Sequence, residues 1–232
     1  MEATLNAGLT ALGLPLAPAP QLLNFAERLL EKNKVMNLTA ITAPQDVATL
    51  HLLDCAALLT LHPMQGKNVV DVGTGAGFPG MVLRIMEKEF DLTLLDSLGK
   101  RIAWLEETCG EMGLDRVECV HAQAEEFAAQ RRERYDIATS RAVADLPLLC
   151  ELALPLVKVG GKFLAMKSVD SDGEIARARG AIGRLGGKVS AVQDYTIPGT
   201  DVIHRLVVIE KVRPTPPQFP RAWAKIKKSP LK

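Results

Sequence analysis

A glycine-rich segment contains the residues whose types and spacing most clearly predict chemistry. The sequence VVDVGTGAGFPG spans residues 69–80, where an apolar run containing Asp71 leads into Gly73, Gly75 and Gly77. Glycine lets the backbone turn tightly and lets a ligand come within contact distance of the main chain. Pro79 follows, and proline is tolerated in the first turn of a helix. The segment therefore predicts a strand, a ligand-binding turn and a helix, with a flat, adenosine-like ligand at the turn.

Two ligands compete for this turn. Gly75, Gly77 and Gly80 satisfy the pattern GxGxxG, and Asp96 follows Gly75 by 21 residues, a spacing typical of a dinucleotide site. Asp71 favours the other ligand, because a carboxylate repels a pyrophosphate but attracts the cationic amino group of a methionine moiety. The acid thus indicates S-adenosylmethionine rather than a nicotinamide dinucleotide.

Two further strand ends offer contacts to the same ligand. Asp96 ends the second predicted strand and can accept hydrogen bonds from both ribose hydroxyls. Ala124 and Glu125 follow the third strand, where the edge of an adenine would be recognised. Because the carboxyl ends of parallel strands meet at one edge of a sheet, we expect these residues to form one site with the glycine turn.

The elements that must position these residues alternate regularly after residue 66. Short β-branched runs predict strands at residues 68–72, 92–95, 117–120, 135–139, 162–166, 189–196 and 205–209. Amphipathic segments predict helices after Pro79, Lys100, Gln123, Leu146 and Glu174. This alternation predicts an α/β fold with right-handed crossovers. Residues 197–204 are too few for a crossover helix, so the last two strands should form an antiparallel hairpin on a mostly parallel, seven-stranded sheet.

The chain before residue 66 has helical spacing instead. Apolar residues recur every three or four positions around Leu22 and Leu29, and again between Val47 and Leu61 after a start near Pro44. We therefore divide the chain into a helical N-terminal extension (residues 1–65), an α/β domain (66–212) and a basic, proline-containing tail (213–232).

Composition excludes several classes of protein. With 232 residues, 47% hydrophobic and 24% charged, the chain resembles an ordinary globular protein rather than a disordered or fibrous one. Its apolar runs are shorter than the ~18–20 residues of a membrane span, and its N-terminus lacks the basic region of a secretory leader. The four cysteines form no CxxC or Cys/His cluster. We expect a soluble, cytoplasmic protein with no membrane partner and no metal.

The net charge of +1 conceals an asymmetry. Residues 211–232 contain seven basic residues and no acid, whereas the rest of the chain has 21 basic and 27 acidic residues. An acidic body with a basic end is typical of a positioned contact with a polyanion. A solvated, frayed terminus is the alternative.

Motifs spread over residues 24–232 resemble one known family. They are Asn37 to Ile41 with His51 to Asp54, DVGTGAGFPG, LLDSLGKR at 94–101, Ala124-Glu125, TSRAVADLP at 139–147, the Gly160-Gly161 turn leading to Lys167, and Pro-Arg, Lys and Pro-Leu elements in the tail. On these residues the chain resembles the bacterial 16S ribosomal RNA guanine-N7 methyltransferases, also called the glucose-inhibited division protein B family. The resemblance implies a Rossmann-like class I methyltransferase fold, S-adenosylmethionine as cofactor, and 16S ribosomal RNA or the small ribosomal subunit as partner.

The resemblance also implies site residues. Combined with the strand-end interpretation, it gives as cofactor-binding residues Asp71, Gly73, Gly75, Phe78, Asp96, Ala124, Glu125 and Arg141. In the tail, Arg221, Lys225, Lys227 and Lys228 are the expected RNA-binding residues, while Phe219 and Trp223 either stack on an unpaired base or anchor the tail. Three departures from the family pattern, at Ser168, Phe219 and residues 222–226, affect the RNA contacts rather than the cofactor site.

The chemistry expected of N7 methylation suits these residues. The N7 lone pair is unprotonated at neutral pH, so no general base is required, and catalysis is mainly positioning. The fourth strand ends Thr139-Ser140-Arg141, without the (N/D)PP(Y/F) motif of an amine methyltransferase. Cys150 lies within a predicted helix, which disfavours the cysteine nucleophile of a pyrimidine C5 enzyme.

Two cations are the expected catalytic residues. Arg141 and Lys167 are assigned to phosphates, the methionine carboxylate or guanine O6, because a cation against the reacting purine would oppose its developing positive charge. A structural ion pair between Arg141 and Asp145 is the alternative for the arginine. For the protein as a whole, the alternatives are a small-molecule or protein methyltransferase, a nicotinamide-dependent oxidoreductase and a non-catalytic adenosine-ligand sensor.

Overall fold

A seven-stranded mixed sheet forms the centre of the computed structural model, which describes residues 1–231. The strands are β1 (Asn68–Val72), β2 (Asp91–Asp96), β3 (Val117–His121), β4 (Tyr135–Arg141), β5 (Val157–Ser168), β6 (Gly187–Thr196) and β7 (Ile203–Lys211), in the spatial order β3-β2-β1-β4-β5-β7-β6. β1 to β5 are parallel, whereas β7 pairs antiparallel with both β5 and β6. The predicted α/β fold class is confirmed.

Helices connect the strands and cover both faces of the sheet. They are α1 (Glu2–Ala11), α2 (Ala19–Met36), α3 (Pro44–Asp46), α4 (Asp54–Leu61), α5 (Gly80–Met86), α6 (Gly99–Glu111), α7 (Ala124–Gln130), α8 (Leu146–Ala153), α9 (Asp172–Arg184) and α10 (Trp223–Lys228). A π-helical segment, Val47–Leu53, links α3 to α4. Such segments are rare and often occur at functional sites, because they re-aim side chains that a regular helix would place elsewhere.

The strand order places a ligand crevice at a defined edge. β1 pairs with β2 on one side and with β4 on the other, so the chain reverses its direction of winding next to β1. Loops that leave the carboxyl ends of neighbouring strands diverge at such a point and leave a crevice between them. The glycine turn after β1 lies at this crevice, together with the ends of β2 and β4.

Each face of the sheet has its own apolar core. The N-terminal helices pack against α5 and α6 on one face, where Phe25 and Phe90 are fully buried. The second core lies under α7, α8 and α9 and includes Phe219, Ile226 and Leu231 of the C-terminal tail. Burial of apolar surface is the main stabilising term in folding, so both terminal segments are fastened to the sheet.

Several elements differ from the sequence-based expectation, among them β5, α1 and the tail helix α10, which the sequence left unassigned. β5 runs over Val157–Ser168 rather than residues 162–166, with an irregularity in its pairing with β4. A Cβ at Gly161 would lie 2.6 Å from the carbonyl oxygen of Asp136, so the close strand approach depends on glycine. Residues 2–11, which the sequence left unassigned, form α1 because Leu5 and Leu9 are buried against the sheet-covering helices. Among residues 1–231 no helix is both long and apolar enough to span a bilayer.

Candidate active site

The glycine turn adopts a conformation that favours glycine at each key position. Gly73, Gly75 and Gly77 have φ values of 71°, 59° and 90°. The amides of Gly73 and Thr74 both donate to the carbonyl oxygen of Leu95, at 2.8 and 3.0 Å. A Cβ at Gly73 would lie 2.6 Å from the side chain of Val143. The turn is therefore held against β2, and side chains are excluded from its inner surface.

The carboxylate of Asp71 forms hydrogen bonds inside the protein and does not line the crevice. Its carboxylate is fully buried, and Oδ2 accepts hydrogen bonds from Thr74 Oγ1 at 2.7 Å and from the Gly80 amide at 2.9 Å. Burial raises the pKa of Asp71 to about 6, although the hydrogen bonds from Thr74 and Gly80 oppose the shift. The carboxylate fastens the glycine turn to α5. We therefore assign Asp71 to positioning the glycine turn rather than to contact with a methionine amino group. Its charge no longer distinguishes S-adenosylmethionine from a nicotinamide dinucleotide.

Two adjoining cavities form an elongated crevice at the carboxyl edge of the sheet. Their volumes are about 360 and 250 Å³, and both are bordered by Gly73, Asp96 and Val143. The larger is also lined by Gly75, Phe78 and Arg141, and the smaller by Ala124, Glu125 and Trp223. The structure thus brings seven of the eight sequence-predicted cofactor residues to one crevice, Asp71 being the exception.

Asp96 stands at the wall shared by the two cavities. One carboxylate oxygen accepts from the Gly75 amide at 2.9 Å and the other from the Leu98 amide at 2.8 Å. Arg101 Nη1 lies 3.6 Å from Oδ2. Each carboxylate oxygen has two lone pairs, so the two hydrogen bonds orient the group and leave acceptor capacity on both oxygens. The side chain is therefore fixed and able to accept from two neighbouring hydroxyls.

A neutral histidine, which sequence analysis did not assign to the site, lines the larger cavity. The ring of His51 stacks on Phe78 at 4.4 Å between centroids, and the guanidinium of Arg141 lies 4.9 Å from the same Phe78 ring. Arg141 Nη2 lies 2.8 Å from His51 Nδ1, and an arginine can only donate. Nδ1 is therefore the acceptor, and Nε2 carries the proton that it donates to Thr39 Oγ1 at 2.8 Å. Burial, followed by the charge of Arg141, lowers the pKa of His51 to about 4.

A buried carboxylate balances the charge of Arg141. Oδ2 of Asp54 accepts from Arg141 Nη1 at 2.9 Å, while Oδ1 accepts from Tyr195 and His204, each at 2.8 Å. Burial would raise the pKa of Asp54, but the hydrogen bond from His204 and the charge of Arg141 hold it below its ordinary value. The alternative pairing of Arg141 with Asp145 is wrong.

Lys167 supports a loop rather than facing the crevice. Its Nζ donates to the carbonyl oxygen of Ala144 at 2.7 Å and pairs with Glu174 at 2.5 Å. The loop it holds includes Ala142, whose φ of 55° is unusual for a residue other than glycine, and Val143, which borders both cavities. Lys167 is not among the cavity-lining residues. We therefore expect it to position this loop rather than to contact the reactants.

The C-terminal tail folds across the body and separates its basic residues into two groups. Arg221 forms a bidentate pair with the fully buried Glu151, at 2.7 and 2.6 Å, so we now expect it to anchor the tail rather than to bind RNA. Phe219 is buried and also serves as an anchor. Lys225, Lys227 and Lys228 are exposed on α10, whereas Lys232 lies outside the described residues.

Five residues at or next to the crevice were not predicted from the sequence as cofactor-binding residues. They are Thr39, His51, Asp54, Val143 and Trp223, of which Asp54 acts through Arg141. Each of the five lies in a segment that the sequence had singled out: the motifs at 37–41, 51–54 and 139–147, and the basic tail. These signals do not give the partners, because those depend on which elements the fold brings together. Among residues 1–231, no cluster of three or more His, Cys, Asp or Glu side chains is arranged to hold a metal ion.

Comparison with known families gives a consistent match over most of the chain. Residues 19–202 match a family model described as GidB, rRNA small subunit methyltransferase G. The Ribosomal RNA small subunit methyltransferase G of Clostridium perfringens (strain 13 / Type A) is 43% identical over 211 residues, which cover 90% of this chain and 88% of that protein. The protein of that name from Alkaliphilus metalliredigens (strain QYMF) is 44% identical over 215 residues, covering 91% and 90%.

Solved structures share the fold at low sequence identity. TrmN from Thermus thermophilus aligns with a TM-score of 0.53 and 21% identity, over 68% of this chain and 48% of that one. TYW2 from M. jannaschii, solved in complex with AdoMet, aligns with a TM-score of 0.52 and 15% identity, over 64% and 71%. These likenesses establish the architecture of the sheet and its helices.

Proposed function

Because the chain belongs to the rRNA small subunit methyltransferase G family, we propose that it transfers the methyl group of S-adenosylmethionine to N7 of a guanine in 16S ribosomal RNA. The observation that carries this proposal is the crevice at the carboxyl edge of the sheet. There the glycine turn, Asp96 and Glu125 meet a neutral histidine and a charge-balanced arginine. The RNA partner is the small ribosomal subunit or its free RNA, and the cytoplasm is the compartment that this substrate implies.

The residues of the crevice suit S-adenosylmethionine. A Cβ at Gly73 would lie 2.6 Å from the side chain of Val143, so the absence of a side chain lets the loop that carries Val143 pack closely against the turn and form a wall of both cavities. Asp96 has acceptor capacity for the ribose hydroxyls, and Ala124 and Glu125 border the smaller cavity, which is suited to the adenine. Gly75 and Phe78 line the larger cavity, which would take the methionine part. Bound there, the cofactor supplies an electrophilic methyl group on its sulfonium.

Methylation at N7 requires no proton acceptor, and the crevice offers no free histidine base among its lining residues. Both ring nitrogens of His51 are engaged, Nδ1 by Arg141 and Nε2 by Thr39. A reaction that had to remove a proton would need one of them to be free. The lone pair of N7 is already available at neutral pH, so the arrangement favours this target over an exocyclic amine.

Charge balance at Arg141 suits the same reaction. Methylation of N7 places positive charge on the purine, and an unbalanced cation beside the base would oppose it. Asp54 neutralises the guanidinium, which can still donate hydrogen bonds from its remaining N–H groups to guanine O6 or to the methionine carboxylate. Correct orientation of the two reactants can contribute roughly 7–11 kcal/mol of barrier reduction, so the main task of these side chains is positioning.

Methyl transfer to RNA tests the proposal directly. The protein is incubated with S-adenosylmethionine carrying a labelled methyl group and with small subunits, naked 16S RNA or, as the matched control, large subunits. We expect label in 16S RNA at a guanine that becomes sensitive to borohydride and aniline cleavage, which is diagnostic of N7 methylation. Label confined to large-subunit RNA, protein or a small molecule would contradict the proposal, as would failure of the protein to bind S-adenosylhomocysteine.

A further inference from the structure

The tail helix α10 is anchored to the body by contacts that do not involve its tryptophan. Ile226 is fully buried in the second core, and Leu231 and Phe219 pack beside it. Arg132 donates hydrogen bonds to the carbonyl oxygens of Phe219, Thr215 and Pro216 at 2.7, 2.5 and 3.0 Å. With the Arg221–Glu151 pair, these contacts hold the tail against α8.

Trp223, at the start of α10, does not take part in this anchoring core. The residue borders the smaller cavity and is 37% exposed, although Ile226 on the same helix is fully buried. Its backbone N–H donates to Glu125 Oε1 at 3.2 Å, which ties the start of α10 to the strand-end residue expected to contact adenine. The wall of this cavity is mixed: Val72 and Leu95 are apolar, whereas Asp96 and Glu125 are acidic. A partly exposed tryptophan beside such a cavity is suited to contact a flat ring that also carries hydrogen-bonding groups.

The lysines of α10 are exposed to solvent, in contrast to its buried isoleucine. Lys225, Lys227 and Lys228 are exposed on α10, and they take part in none of the ion pairs found within residues 1–231. A six-residue helix cannot move its lysines without moving its first residue. Contact of these lysines with phosphates would therefore hold the tryptophan in place at the cavity.

We propose that Trp223 is a wall of the cofactor cavity that contacts the adenine, and that α10 thereby couples cofactor affinity to RNA affinity. The inference rests on the proposed function, because it requires an adenosine-containing cofactor in the crevice. Linkage requires the coupling to be reciprocal: RNA must tighten the binding of cofactor by the same factor as cofactor tightens the binding of RNA.

Calorimetric titration of the full chain with S-adenosylhomocysteine tests the contact. Loss of an aromatic stacking surface weakens binding of a base by about 5- to 150-fold, so Trp223→Ala should raise the Kd by this factor. Trp223→Phe should restore most of the affinity. Lys227→Ala, on the same helix but outside the cavity, is the matched control and should bind as the unaltered chain does. Equal affinity of Trp223→Ala and the unaltered chain would overturn the inference while leaving the proposed function standing, whereas absence of binding by the unaltered chain would overturn both.

Fluorescence gives an independent readout, because the chain has two tryptophans and the other, Trp104, is buried outside the crevice. S-adenosylhomocysteine should change the emission of the unaltered chain and of Lys227→Ala but not that of Trp223→Phe. Repeating the titrations with a 16S RNA transcript tests the coupling: the Kd for S-adenosylhomocysteine should fall with RNA in the unaltered chain and stay constant in Trp223→Ala. A Kd that RNA leaves unchanged in the unaltered chain would overturn the coupling.

Discussion

Arg141 at the end of β4 donates a hydrogen bond to Asp54 at the start of α4, at 2.9 Å and across 87 residues of sequence. This buried pair joins the N-terminal helices to the carboxyl edge of the sheet. Through Arg141 it fixes the tautomer of His51, and through Asp54 it reaches Tyr195 and His204 on the C-terminal hairpin. One ion pair therefore connects three separate parts of the chain at the crevice.

Removing the buried carboxylate should be far more costly than removing an exposed one. Asp54→Ala leaves the guanidinium of Arg141 buried without its counter-charge, and loss of one partner from such a pair typically costs about 3–5 kcal/mol of unfolding free energy. Glu111→Ala breaks the exposed pair with Arg28 and should cost about 1 kcal/mol or less. Urea unfolding of the two variants measures the difference, and comparable losses would show that the pair at the crevice is not effectively buried.

Two buried groups near the crevice should respond to pH in opposite directions. The pKa of His51 falls to about 4, so between that value and about 6.5 the unfolded chain carries a proton that the folded chain lacks, and the free energy of unfolding rises with pH. The pKa of Asp71 rises to about 6, so from about 4 to 6 the folded chain carries the extra proton, and the free energy of unfolding falls with pH.

Single substitutions should separate these two opposing contributions. Asp71→Asn retains an acceptor for Thr74 and Gly80 but cannot titrate, so its stability should rise with pH relative to the unaltered chain between pH 4 and 6. His51→Gln should show the opposite relative slope. Each effect is bounded by about 1.4 kcal/mol per pH unit for one proton. Urea unfolding at several pH values measures both slopes, and parallel profiles in the two variants would contradict the assignment of the protons.

Two glycines with the same backbone angle provide a matched pair of substitutions. Gly73 and Gly66 both have φ of 71°, but a Cβ at Gly73 would meet Val143 whereas one at Gly66 would meet nothing within 4 Å. Alanine should cost about 1–2 kcal/mol of stability at either position through its backbone angle. Gly73→Ala alone should also lose affinity for S-adenosylhomocysteine, by about tenfold or more. Calorimetry measures this loss, and adding Val143→Ala to Gly73→Ala should recover part of it if the clash is its cause.

The exposed lysines of α10 should affect RNA binding without affecting the cofactor site. Charge reversal at Lys225, Lys227 and Lys228 should weaken binding to 16S RNA. The slope of log affinity against log salt concentration should become less steep, by about 0.7–0.9 for each phosphate that the protein no longer neutralises. The affinity for S-adenosylhomocysteine without RNA should stay unchanged. Charge reversal at Lys67, Lys88 and Lys188, which are exposed near the amino ends of strands, is the control with the same net charge. Filter binding over a salt series measures both triple variants, and equal slopes would remove the tail from the RNA interface.

The sequence predicted those parts of the site that are encoded locally. The sequence located the glycine turn with Gly73 and the residues at the strand ends, namely Asp96, Ala124 and Glu125. These could be located because hydrophobic alternation, glycine spacing and turn chemistry depend on only a few neighbouring residues. The parallel sheet then brings those strand ends to one edge. Asp71 shows the limit of this reasoning, because its position was predicted but the direction and partners of its carboxylate were not.

Only the tertiary structure decided which charged side chains face the crevice and which form ion pairs within the protein. From the sequence by itself, the fold class, the glycine turn and the family resemblance followed. Arg221 and Lys167 looked available for ligands, yet Arg221 pairs with Glu151, 70 residues earlier, and Lys167 pairs with Glu174 on the helix that follows its strand. Trp223 was brought from the tail to the cavity wall. The physical reason is distance: local conformation depends on neighbours in sequence, but the partner of a buried charge is whichever group the completed fold places about 3 Å away.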